Sequence, residues 1–136
     1  MNTIETVCII DDDPIFVYGA KRMMKEAGFC KEVSVYENGN DALQGLKELD
    51  KNGEELPSII FLDLNMPIMN GWDFLADFIT IPAFNPEKTL IYVISSSVDP
   101  RDLIRIKDTK VISNYILKPL TSEDLENIHS SQALKA

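Results

Sequence analysis

The sequence predicts an α/β chain in which about five strand–helix units build a three-layer sandwich around a parallel sheet. Three observations carry this reading. Short apolar runs rich in β-branched residues recur along the chain: TVCII (6–10), VSVYE (33–37), SIIFL (58–62), LIYVI (90–94) and NYIL (114–117). Runs that are apolar almost throughout fit strands covered on both faces, as parallel strands are. Segments with helical spacing and their own start and stop signals separate these runs, and the connections are short, so right-handed crossovers leave few topologies.

Each element has a local reason. Asp13-Pro14 reads as an N-cap followed by proline at the first helical position. Phe16, Ala20, Met23, Met24 and Ala27 then recur at helical spacing as the core stripe of the first helix, which Gly28 ends. Gly39 to Lys51 is the second helix and Gly71 to Thr80 the third. Asp99-Pro100 repeats the cap-then-proline signal for the fourth, and Thr121 with Asp124 forms a capping box for the last. MNG (69–71) is a turn in which Gly71 serves backbone conformation, and FNPEK (84–88) is a longer surface loop. The last segment, SEDLENIHSSQALKA, reads as a short polar helix with weak packing at its end.

Composition bounds the function. The chain has 136 residues, 45% hydrophobic and 26% charged, with a net charge of −9. This suits one globular domain. An acidic surface argues against nucleic acid as the main partner, because phosphate binding needs clustered Lys and Arg. Lys21, Arg22 and Lys25 form the densest basic group and fit one solvated helix face. No apolar stretch approaches the roughly 18 residues of a membrane span, and the N-terminus lacks a signal-peptide pattern. A cytoplasmic monomer is therefore expected, with no membrane or nucleic-acid partner. Cys8 and Cys30 read as reduced core residues. His129 is the single histidine and lies near the polar C-terminus, which excludes most His-rich metal sites and a core Ser-His-Asp triad.

Ligands of open α/β sheets bind at the carboxyl ends of the strands. There the first strand ends in Asp11-Asp12-Asp13, the third in Asp63, the fourth in Ser95-Ser96-Ser97 and the fifth in Lys118-Pro119. Asp13 is expected to cap the helix rather than bind a ligand. Clustered carboxylates repel one another unless a cation is present. Oxygen ligands without His or Cys favour a hard cation, Mg²⁺ or Mn²⁺. A carboxylate beside such a metal and a lysine is placed to attack an electrophilic phosphorus, and Ser95 could hydrogen-bond the phosphoryl group it receives.

IIDDDP, FLDLNMP, MNGWDF, ISSS and YILKP occur in this order. Together they resemble the CheY-like receiver domain of two-component response regulators, over roughly residues 5–127. The resemblance implies a flavodoxin-like (βα)5 fold with strand order 2-1-3-4-5, and a phosphoryl-accepting signalling switch. It implies Asp63 as phosphoacceptor, Asp11 and Asp12 as the acidic pair with Asp12 the more direct Mg²⁺ ligand, and a metal contact from the Asn65 backbone carbonyl. It implies Ser95 and Lys118 as phosphoryl contacts and Tyr115, three residues before the lysine, as an aromatic switch. Asn65 and Ser97 fall where the family tunes hydrolysis. The phosphoryl source would be a histidine kinase or histidine phosphotransfer protein, and the readout a downstream protein target. No enzymatic activity is expected beyond self-phosphorylation and self-dephosphorylation at Asp63. A single domain over residues 1–136 is expected, without a DNA-binding or enzymatic output segment, and it is expected to signal through its own surface. Ile15 and Tyr18 fall beside the core stripe of the first helix and form a candidate partner contact.

Two other readings stand beside this one. A haloacid-dehalogenase-like phosphohydrolase also places a nucleophilic Asp after a strand, but needs a second Asp two residues on, where this chain has Asn65. A degenerate receiver acting as a binding module would have lost Asp63, Asp12 or Lys118, and all three are present.

Overall fold

The computed structural model describes residues 4–66, 69–96 and 99–135, with side chains to residue 131. Pro67 of the FLDLNMP turn and Ser97 lie outside the described residues. Strands and helices alternate without exception: β1 (Ile4–Ile10), α1 (Pro14–Ala27), β2 (Cys30–Tyr36), α2 (Gly39–Lys51), β3 (Ile59–Asp63), α3 (Gly71–Phe78), β4 (Leu90–Ser95), α4 (Pro100–Asp108), β5 (Ile112–Leu117) and α5 (Ser122–Lys135). All neighbouring strands pair in parallel, in the order β2-β1-β3-β4-β5. This is the expected flavodoxin-like arrangement.

The apolar runs divide by parity between two cores. Cys8, Ile10, Ile60, Leu62, Ile91 and Val93 point to the side of α2 and α3. Val7, Ile9, Ile59, Phe61, Tyr92 and Ile94 point to the side of α1 and α5. A strand buried on both faces has no polar face to show, which is why these runs lack alternation. Each fully buried Leu, Ile or Phe contributes about 1.5–3 kcal/mol relative to exposure.

The caps form as the sequence suggests. The Asp13 side chain accepts from the Ile15 and Phe16 amides, Asp99 accepts from the Arg101 amide, and Thr121 and Asp124 bond reciprocally. Several expectations change. Ala27 is exposed; the inner face of α1 is Phe16, Val17, Ala20, Met23 and Met24, because the stripe drifts away from Ala27 by the last turn. The last helix is not short: α5 has 14 residues and is anchored by buried Leu125 and Ile128. Cys8 is buried, whereas Cys30 is only half-buried at the edge strand β2. The segment between α3 and β4 is a series of turns pinned by buried Ile81 and by Phe84, whose ring meets Phe78 edge-on at 5.1 Å.

Strand β5 carries one extra residue. Ile91 pairs with Ile112, but Tyr92 pairs with Asn114, so Ser113 is bulged out of the ladder. A one-residue insertion reverses which side chains face each core. Ile112 belongs to the α2–α3 side, and after the bulge Tyr115 joins that same side while Ile116 turns to the other.

Candidate phosphoryl-acceptor site

Four strands deliver the site. The loop after β1 carries Asp11 and Asp12, β3 ends on Asp63, β4 ends on Ser95, and Lys118 follows β5. Asp11, Asp63 and Ser95 are all buried, at 1%, 5% and 2% exposure. Asp12 is exposed. One carboxylate oxygen from each of Asp11, Asp12 and Asp63 lies within 4.8 Å of the others.

Local backbone geometry holds the acids. The Asp13 amide donates to Asp11 Oδ1 at 2.8 Å, so the turn that starts α1 also orients Asp11. The Asn65 amide donates to Asp63 Oδ1 at 3.1 Å. Gly71 lets α3 approach the end of β3: a Cβ there would lie 2.7 Å from the Asp63 carbonyl oxygen and 2.9 Å from Leu64 Cα. Its amide donates to the Leu64 carbonyl at 3.0 Å. The reason for glycine is therefore close approach rather than an unusual backbone angle.

Lys118 Nζ stands 2.8 Å from Asp11 Oδ2 and 3.9 Å from Asp63 Oδ2. The backbone ties it to β4, since its amide donates to the Ser95 carbonyl at 2.9 Å. On the α1 side the ammonium lies 4.6 Å from the Phe16 ring centroid. That contact had no signal in the sequence, where Phe16 reads only as part of the core stripe. Tyr115 is half-buried, packed on the core side that includes Val93 and Ile106. Ile15 and Tyr18 are 83% and 69% exposed.

Burial pushes the Asp63 carboxyl up to about 6. The Asn65 amide and Lys118 oppose this, and the charges of Asp11 and Asp12 add to it. Asp11 Oδ2 is buried, and among the described residues its close partner is the Lys118 ammonium at 2.8 Å. An all-oxygen donor set, excess negative charge and an under-coordinated buried oxygen fit a hard divalent cation.

Comparison with known proteins identifies the family and the fold. The response regulator receiver domain model matches residues 7–129. The nitrate/nitrite response regulator protein NarL of Escherichia coli K12 is 31% identical over 132 residues, which cover 94% of this chain and 55% of NarL. The chain thus spans about half the length of that relative. A two-component response regulator from Cytophaga hutchinsonii superposes with a TM-score of 0.88 at 32% identity, covering 98% of this chain and 99% of that one. The receiver domain of sensor histidine kinase PA1611 from Pseudomonas aeruginosa, solved with a magnesium ion in its active site cleft, shares the fold at a TM-score of 0.74 and 14% identity. It covers 96% of this chain and 97% of its own. Among the described residues no helix is long and apolar enough to cross a membrane. The chain belongs to the response regulator receiver domain family.

Proposed function

We propose that this domain accepts a phosphoryl group on Asp63 from a histidine kinase or histidine phosphotransfer protein and signals through its own surface. The observation that carries the reading is the meeting of Asp11, Asp12 and Asp63 oxygens within 4.8 Å, with Lys118 at 2.8 and 3.9 Å from two of them. Asp63 Oδ1 is engaged by the Asn65 amide, which leaves Oδ2 as the attacking oxygen. An Oδ2–phosphorus bond forms while the donor's nitrogen–phosphorus bond breaks, and the departing imidazole takes a proton. Asp63 is mostly ionised above a pH of about 6, as a nucleophile must be. Lys118 approaches the oxygens of the transferring group, and the Ser95 hydroxyl donates to the group once it is on Asp63.

Asp12, Asp11, Asp63 and the Asn65 carbonyl would hold Mg²⁺, which when bound supplies neutralising charge for the phosphoryl oxygens. Mn²⁺ suits the same donors. Partner contacts follow from exposure. Ile15 and Tyr18 expose apolar surface beside the acids and suit a phosphoryl donor protein. Ile104 on α4 and Leu117 at the end of β5, 63% and 53% exposed, suit the downstream target. Ser95 and Tyr115 would link the two states, with the phosphoryl group favouring one arrangement of α4 and β5.

Incubation with acetyl phosphate and Mg²⁺ tests the reading. Mass spectrometry should find one added phosphoryl group, dependent on Mg²⁺ and absent from Asp63→Asn. Label that survives in Asp63→Asn excludes Asp63 as the main acceptor. Steady turnover of a small phosphomonoester would favour a phosphohydrolase instead.

A further inference from the structure

We propose that Phe16 is the positioning residue for Lys118, fixing where the ammonium stands between Asp11 and Asp63. The proposal rests on the role given to Lys118 above. A lysine side chain is a flexible stem that carries a compact charge, so its position must be set by what surrounds it. Two carboxylates compete for this one: Asp11 at 2.8 Å and Asp63 at 3.9 Å. Ion pairing alone would draw the ammonium to Asp11, the more buried and closer acid. The Phe16 ring offers a third contact at 4.6 Å from the centroid. Its face attracts a cation through the ring quadrupole but carries no formal charge. It therefore restrains the ammonium without adding another anion to a site already crowded with three.

Phe16 is itself held by the turn that holds Asp11. The Asp13 amide donates to Asp11 Oδ1 at 2.8 Å, and the Asp13 carboxylate accepts from the Phe16 amide at 3.3 Å. The ring and the ion-pair partner of Lys118 thus hang from one capped turn at the start of α1. The Lys118 side chain is 15% exposed, so the cation–π contact is largely shielded from water, where such contacts are strongest. A leucine at position 16 would fill comparable space and keep the apolar stripe, yet would have no quadrupole to hold the charge.

The test pairs Phe16→Leu with Phe16→Tyr, which keeps the ring. Labelling by acetyl phosphate in Mg²⁺ should slow by about 2- to 20-fold in Phe16→Leu and return to within about twofold of wild type in Phe16→Tyr. Carbon–proton NMR of the Lys118 ε-methylene supplies a readout that mere packing would not move. Its protons should be shifted upfield by the ring current in wild type and Phe16→Tyr, and not in Phe16→Leu. A wild-type rate in Phe16→Leu overturns the proposal. So does a loss that Phe16→Tyr fails to recover, or a Lys118 methylene with no ring-current shift in wild type. If wild type does not label on Asp63 at all, the phosphoryl-acceptor reading fails, and the methylene shift alone then decides whether Phe16 holds Lys118.

Discussion

The two ends of the sheet are built on opposite terms. At the amino ends, β1, β3, β4 and β5 begin with buried Ile4, Ile59, Leu90 and Ile112, and buried Phe29 precedes β2. His129 stacks on Phe29 with ring centroids 4.9 Å apart. Among the described residues, the one buried polar side chain at that end, Thr89, donates its hydroxyl to the Pro57 carbonyl at 2.9 Å. At the carboxyl ends lie the other three buried polar residues described, Asp11, Asp63 and Ser95. There a carboxyl is pushed up to about 6 and a buried oxygen meets only a lysine. Buried charge costs stability unless every partner is present. One end of the molecule therefore stabilises the fold, and the other spends some of that stability to keep charges poised for chemistry.

The sharpest way to break this contrast is to disturb the packing that supports the charged end. Gly71→Ala places a methyl group 2.7 Å from the Asp63 carbonyl, against backbone that cannot rotate away. The expected loss is about 2–3 kcal/mol by denaturant unfolding, together with slower labelling because Asp63 moves. A variant of wild-type stability would mean that α3 can slide freely off the end of β3.

Next in size is the burial of the Asp63 charge itself. Its folded carboxyl titrates near 6 against an ordinary 3.8, so between about pH 4 and 6 the folded state binds more proton than the unfolded state. Stability of metal-free protein should fall as pH rises through that window. Asp63→Asn removes the titrating group. It should match wild type below about pH 4 and exceed it by on the order of 2 kcal/mol above pH 6, in chelator. Parallel stability curves for the two proteins across this window would show that Asp63 carries no burial cost. The amino end offers the opposite sign. Thr89→Val keeps the shape but strands the Pro57 carbonyl, so stability should drop by about 1 kcal/mol, with labelling of Asp63 unchanged.

How much of this was legible in the sequence depends on where the determining contact lies. Caps, apolar runs and strand-end acids are local, so Asp13, Asp99, Thr121 and the four-strand convergence could be read directly. The first half of β2 could not, because Cys30-Lys31-Glu32 looks polar. Charged residues are what an edge strand carries to discourage further pairing. The bulge at Ser113 leaves no compositional trace, yet it decides which core Tyr115 faces. Gly71 reads as a turn glycine, and its real constraint is a neighbour eight residues back in the chain. Within the site, the residue types were legible and the pairings were not: nothing local says that Lys118 stands nearer Asp11 than Asp63, or that Phe16 lies beside it.

The smallest effect would sharpen the comparison by asking how the charged end communicates with its surroundings. Arg105 on α4 lies with its guanidinium 4.1 Å from the ring centroid of Trp72, the second residue of α3. Trp72 is the single tryptophan of the chain and follows the glycine packed on Asp63. Helix α4 is otherwise lightly anchored, with Ile106 its one buried residue. An exposed cation–π pair contributes about 0.5–1 kcal/mol, so Arg105→Ala should lower stability by no more than that. It should change Trp72 emission much more clearly, because the stacked charge is lost. If labelling of Asp63 shifts α4, the emission of wild-type protein should move toward that of Arg105→Ala, while the variant itself should respond little. Equal emission changes on labelling in both proteins would mean that Trp72 senses the phosphoryl group through α3 alone, and that α4 takes no part in the movement.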